Sequence, residues 1–198
     1  MDTLVAASLN KNKIREIGEI TKGLDIKVIS RSEAGISDDV EVAEDGDTFE
    51  ENSLKKAREI SALCGKPAIA DDSGLAVDAL CGEPGVNSAI YAGEERDDKK
   101  NRDKLLNELN SVPYEKRTAR FVAVISVAHP DGSGMAVRGE CEGHVAFGEK
   151  GAGGFGYDSI FIPLGYDRTF AEMSQEEKNK TSHRAKALAM LKDKMEKG

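Results

Sequence analysis

The sequence predicts an α/β protein built on a mixed sheet. Three features carry that expectation. Strand and helix patterns alternate through the first part of the chain, strand patterns dominate residues 119–147, and an amphipathic helical pattern closes it. At 198 residues the chain can form one large domain or two small lobes sharing a core.

The elements follow in order. "TLVAAS" is a short apolar strand pattern, and "NKNKIREIGEITKGL" then sets Ile14, Ile17, Ile20 and Leu24 at helical spacing, with Gly23 near the stop. A strand, a polar turn and a helix leave backbone N–H groups beside the turn, a place that favours anions. The turn lacks the G-x-x-x-x-G-K-S/T pattern, so it is not a Walker loop.

Residues 48–65 give the clearest helix. Thr48 and Glu51 form a T-x-x-E capping box, and Gly65 with Pro67 supplies the stop. At about 100° per residue, Phe49, Ala57, Ile60, Leu63 and Cys64 share one face, with Glu51, Lys55, Arg58 and Glu59 opposite. Lys56 falls in the middle of the apolar face. Either its ammonium snorkels to water or it meets a partner.

"AIADDSGLAVDAL" then places Asp71 and Asp72 at the end of a strand pattern, before Ser73 and Gly74. Extended backbone sends the two carboxylates to opposite sides, so only one need face any given site. One reading makes them caps of a turn at Ser73-Gly74. The other makes them a cation site, because two carboxylates about 4 Å apart repel by ~4 kcal/mol at an effective dielectric near 20. Glu44, Asp45 and Asp47 add a second acidic group, and oxygen donors without His or Cys favour Mg²⁺ or Mn²⁺ over zinc.

Farther on, "DDKKNRDKLLNELNSV" reads as a helix with Leu105, Leu106 and Leu109 inward and its charged run solvated. Two strands flank "HPDG", a hairpin signal that makes His129 a turn residue. "GAGGFGYDSIFIP" is a glycine-rich loop running into a strand. "TSHRAKALAMLKDKMEK" is a capped helix with Ala185, Leu188, Leu191 and Met195 on one face and His183 and Arg184 at its start.

Composition narrows the function. A net charge of −8 without a basic stripe argues against a nucleic-acid backbone binder. No apolar run approaches the ~20 residues that span a bilayer, and the N-terminus does not read as a signal peptide. Three cysteines without metal-site spacing read as reduced thiols, and the expected compartment is the cytoplasm. Lys13, Lys56, Lys178, His183 and Arg184 supply cations that a polyphosphate substrate with a carboxylate-bound Mg²⁺ would need, if folding brings them together.

Taken in order, Ser/Thr-x-N-x-x-K at residues 8–13, "EDGDTFEENSLKKA", "ADDSGLAVDAL", "PGVNSAIYAG", "GGFGYDSIF" and "EEKNKTSHR" resemble the inosine triphosphate pyrophosphatase family, which removes non-standard purine nucleotides. The resemblance spans nearly the whole chain. It implies an elongated mixed sheet with flanking helices, forming a single two-lobed domain over residues 1–198 around a central substrate cleft, and a homodimer. It implies Mg²⁺-dependent hydrolysis of XTP, ITP and dITP to the monophosphate and pyrophosphate, without nucleic-acid or membrane partners.

By motif, Ser8, Asn10 and Lys13 would hold phosphates. Glu44 and Asp72 would bind the metal, and Asp72 would also take a proton from the attacking water. Lys56 would reach the phosphates, Ser73 would contact substrate, and Asp71 would support the loop. Phe155 would stack on the base with Gly156 and Tyr157 beside it. Asp158, Lys178, His183 and Arg184 would read the base edge. One departure is plain: Leu9 and Asn12 stand where the family commonly has glycines. Two other readings compete, a house-cleaning pyrophosphatase for modified pyrimidines and a nucleotide-binding protein without catalysis.

Overall fold

The structure, a computed structural model, describes residues 2–22 and 26–197. Strand β1 (Asp2–Ala6) leads into helix α1 (Lys11–Thr21), then β2 (Ile26–Ile29) and, after a long connection, α2 (Phe49–Cys64) and β3 (Ala68–Val77). Helix α3 (Asp98–Glu108), strands β4 (Thr118–Ala128), β5 (Gly134–Val145) and β6 (Phe161–Pro163), and helices α4 (Gln175–Thr181) and α5 (His183–Lys197) follow. The six strands form one sheet in the order β2-β1-β3-β4-β5-β6. It is mixed: β1 runs parallel to β2 and β3, whereas β5 and β6 are antiparallel.

The chain divides into two compact units. The first comprises Met1–Asp72, Ala123–Gly139 and Arg184–Gly198, and the second Ser73–Val122 and Glu140–His183. Strands β3, β4 and β5 thus each contribute residues to both units. The first unit has two apolar clusters, one around Leu4, Ile17, Ile69, Ile125 and Leu188, the other around Val5, Ala57, Ile60 and Ala70. The core of the second gathers Leu75, Leu105, Leu109, Phe121, Phe161 and Phe170. Among the described residues no helix is long and apolar enough to cross a membrane, and Cys64, Cys81 and Cys141 are all free thiols.

Helix α2 forms as its sequence dictates. The Thr48 side chain accepts from Glu51 N–H, the Glu51 carboxylate reaches back, and Gly65 ends the helix in the left-handed region at φ 64°. Ser53 docks the helix by donating to the carbonyls of Val124, at 2.9 Å, and Ala70, at 3.3 Å. Phe49, Lys56, Ala57 and Ile60 face inward, but Leu63 is 59% exposed. It lies in the last turn, beside Cys64, which is partly buried against the core. Leu105 and Leu109 are buried and Leu106 is partly buried, as predicted, and the hairpin turn closes with His129 N–H bonded to Ser133 O.

Several expectations need correction. Asp71 and Asp72 are the fourth and fifth residues of a ten-residue strand rather than its end, and Ser73-Gly74 is strand and not a turn. Gly74 is required there because a Cβ would strike Ser88 and the Gly85 carbonyl, and Ser88 Oγ accepts from Leu75 N–H at 2.9 Å. The last helical pattern is two helices. Ser174 and Glu177 build a capping box for α4, and Ser182 interrupts the run with extended backbone before α5. Ala187 rather than Ala185 joins Leu188 and Leu191 in the core. Strand β2 is an element that the sequence patterns do not predict, and Gly23 and Leu24 lie outside the described residues.

Candidate active site

The first unit holds two linked sets of charges, built around the buried Lys56, Asp71, Asp72, Arg184 and Glu16. Lys56 projects inward from α2, and its ammonium donates to Glu44 Oε1 at 2.6 Å, to Asp72 Oδ1 at 2.8 Å and to the Asp71 carbonyl at 3.0 Å. The inward lysine therefore meets partners and does not snorkel. Its burial opposes the charge, but Asp72 and Glu44 outweigh that and hold it above the ordinary lysine value. Burial pushes the Asp72 carboxyl up, against the pull of Lys56 and Lys13.

Asp72 Oδ2 is a buried acceptor with no hydrogen-bond partner. A buried acceptor left open costs ~1–3 kcal/mol, which a cation or a donor from a ligand would relieve. Among the described residues no three His, Cys, Asp or Glu side chains cluster as a metal cage. Two carboxylates on one ammonium, one with an open oxygen, still fit a hard divalent ion that completes its shell with water and phosphate oxygens.

The second set begins on the other side of β3. Asp71 is fully buried and accepts from Arg184 Nε at 2.9 Å and from Lys13 Nζ at 2.9 Å. Arg184, also buried, turns its Nη1 onto the buried Glu16. Burial alone would raise Asp71, yet Arg184 and Lys13 hold it well below the usual carboxylate range. The adjacent aspartates thus do separate work: Asp71 is tied to cations of α1 and α5, while Asp72 keeps an open oxygen.

The first turn reads differently from expectation. Asn10 caps α1, its Oδ1 accepting from Asn12 N–H at 3.0 Å and Lys13 N–H at 3.2 Å, and its own N–H bonds Ser8 Oγ at 3.1 Å. Two of the amides expected to be free at this helix start are therefore occupied.

The second unit carries an aromatic and cationic cluster. Asp158 Oδ2 accepts from Phe155 N–H at 2.9 Å and from Lys178 Nζ at 2.6 Å. The Lys178 ammonium lies 5.0 Å from the centre of the Phe155 ring and 5.6 Å from that of Phe170. His183 stacks on Phe121 at 4.7 Å. Tyr157 is buried and donates to the Ser88 carbonyl at 2.9 Å, which commits its hydroxyl to the scaffold.

Of the residues singled out from sequence, Ser8, Asn10, Lys13, Glu44, Lys56, Asp72 and Arg184 belong to the first unit; Ser73, Phe155, Gly156, Tyr157, Asp158, Lys178 and His183 belong to the second. Lys56, Glu44 and Asp72 come together, as do Phe155, Asp158 and Lys178. Arg184, expected to read the base edge, is bound to Asp71 and Glu16. Glu16 was missed. At about 100° per residue it shares a face with Lys13, Ile17 and Ile20, the same signal of a charge within an apolar stripe that marked Lys56.

Residues 4–194 match the Ham1 family. A dITP/XTP pyrophosphatase from Geobacter sulfurreducens is 50% identical over 193 residues, covering 98% of this chain and 96% of that protein. A second, from Haemophilus influenzae, is 48% identical over 97% of this chain and 98% of the relative. Among solved structures, the Staphylococcus aureus Ham1 protein superposes with a TM-score of 0.86 at 42% identity, covering 98% of each chain. A HAM1 protein from Coxiella burnetii does so with a TM-score of 0.87 at 38% identity over the whole of both chains.

Proposed function

This chain belongs to the Ham1 family, and from that premise we infer that it hydrolyses XTP, ITP and dITP to the nucleoside monophosphate and pyrophosphate, clearing these nucleotides from the pool. The observation that carries the reading is the Glu44–Lys56–Asp72 constellation with its open Asp72 oxygen.

We propose that Ser8, Asn10 and Lys13 at the first turn, with Lys56, hold the triphosphate, and that Ser73 touches it beside Asp72. Glu44 and Asp72 would hold Mg²⁺, or Mn²⁺ in its place. Such an ion, when bound, neutralises phosphate oxygens and the charge that develops on the leaving group. Asp72 accepts a proton from water as the water oxygen bonds to the α-phosphorus. The bond from that phosphorus to the bridging oxygen then breaks, and pyrophosphate leaves with the electron pair. Lys56, kept charged by its carboxylates, offsets the growing negative charge.

Phe155 offers a face for the purine to stack on, and Gly156 and Tyr157 shape the same loop. Asp158, Lys178 and His183 would read the base edge. Donors satisfy a 6-keto oxygen and oppose the 6-amino group of adenine, a mismatch of ~1–3 kcal/mol. Arg184, held by Asp71 and Glu16, would join them through its remaining N–H groups. Action of the 198 residues as one domain, as a homodimer in the cytoplasm, is part of the same proposal.

Hydrolysis in ¹⁸O-labelled water tests the mechanism. Attack at the α-phosphorus puts the label in the nucleoside monophosphate. Label in the pyrophosphate would place attack at the β-phosphorus and refute the role given to Asp72.

A further inference from the structure

The charged run opening α3 looks like a solvated face in the sequence, yet two of its residues hold one glycine of the glycine-rich loop through the peptide groups on either side of it. Gly156 N–H donates to Asp98 Oδ2 at 2.8 Å, and Arg102 Nη1 donates to the Gly156 carbonyl at 2.8 Å. Asp98 and Arg102 are four residues apart, one above the other on a single helix face. Arg102 also donates through Nε to Glu149 Oε2 at 2.9 Å, and that oxygen accepts from Ser159 Oγ at 3.0 Å. One helix side thus fixes residues 149, 156 and 159. Gly156 sits at φ +60°, a conformation that glycine adopts without a Cβ penalty.

The residue before this clamped glycine is Phe155. Its own N–H is held by Asp158, so its backbone is fastened on both flanks.

We propose that Asp98 and Arg102 are positioning residues of the base-binding loop, Asp98 holding the Phe155–Gly156 peptide and Arg102 the Gly156–Tyr157 peptide, so that the Phe155 ring is oriented before the purine arrives. The proposal rests on the reading of Phe155 as the stacking face. Asp98 and Arg102 belong to the second unit together with Phe155, so their loss should act on base capture. A loop that must be ordered on binding weakens affinity by the cost of ordering it. Asp98 is free for this role because Asp97, not Asp98, caps α3.

Steady-state kinetics with dITP provide the test. Asp98→Ala and Arg102→Met should each raise KM roughly three- to tenfold, the range of one hydrogen bond, with a smaller change in kcat. Asp98→Asn keeps an amide oxygen able to accept from Gly156 N–H and should restore KM towards the wild-type value. Simple loss of folded enzyme would instead lower kcat at constant KM, and that pattern would overturn the proposal. Phe155→Ala separates the two levels of inference. If it leaves KM unchanged, the stacking reading fails and the clamp's role with it. If it raises KM while Asp98→Ala and Arg102→Met do not, the clamp alone is refuted.

A second readout does not depend on turnover. The sequence has no tryptophan, so Phe155→Trp introduces a single reporter. Its fluorescence anisotropy should fall when Asp98→Ala is added, and an unchanged anisotropy would contradict the clamp.

Discussion

Replacing Asp71 with asparagine should cost stability, and replacing Asp72 should cost chemistry. Asp71 is fully buried between Arg184 and Lys13, and Arg184 also contacts the buried Glu16. At an effective dielectric near 20, the Arg184–Asp71 attraction at this range is ~6 kcal/mol. Part is offset because the aspartate no longer has to be dehydrated, and Lys13, 16% exposed, recovers water. Breaking one partner of a buried pair nets ~3–5 kcal/mol, against a total stability of about 5–15 kcal/mol for a typical protein.

For a chain of this size that corresponds to a Tm lowered by about 6–20 °C. The depressed Asp71 pKa fixes the pH behaviour. Its contribution is present above the unfolded value of about 3.9 and is lost only as pH falls through the folded value. Thermal melts followed by circular dichroism should therefore show a gap between wild type and Asp71→Asn that is constant from neutral pH to about pH 5. Below the melt, Asp71→Asn should retain measurable turnover. A Tm within about 2 °C of wild type, equivalent to under ~1 kcal/mol, would refute the assignment of Asp71 as an anchor.

Asp72→Asn should abolish pyrophosphate release without lowering the Tm of the metal-free protein. Burial raises the Asp72 carboxyl, so its stabilising contribution is present below the unfolded pKa and lost as pH rises through the folded one. A neutral amide avoids that loss at pH 7, and a large drop in Tm would contradict the argument. For the same reason, Mg²⁺ binding measured by calorimetry should weaken as pH falls through the Asp72 titration, and pH-independent affinity would count against Asp72 as a ligand. Thr48→Ala removes the α2 cap and should cost ~1 kcal/mol, read as a Tm lowered by about 2–4 °C; no change would mean the capping box is not stabilising.

What was legible in the sequence was local. The α2 helix has its cap, stripe and stop within residues 48–67, so Lys56 could be recognised as an inward charge before its partners were known. The hairpin and the inward leucines of α3 were equally visible. Asp71 was not, because Arg184 lies 113 positions away and the Glu16–Arg184 pair spans 168. Periodicity gives the direction of a side chain but not what covers it, and Leu63 is exposed although it shares the inward face. The motif resemblance supplied Asp72, Phe155, Asp158 and Lys178, and the structure groups Asp72 with Lys56 and Phe155 with Asp158 and Lys178. It could not supply Asp98 and Arg102, whose contacts to Gly156 lie 58 and 54 positions away in the chain.

The most direct test of the account is pyrophosphate release from XTP, dITP, GTP and ATP in Mg²⁺, with EDTA as control. Rapid release from XTP and dITP, little from ATP and none after chelation is the expected result. Equal turnover of ATP, or release that survives EDTA, would contradict it.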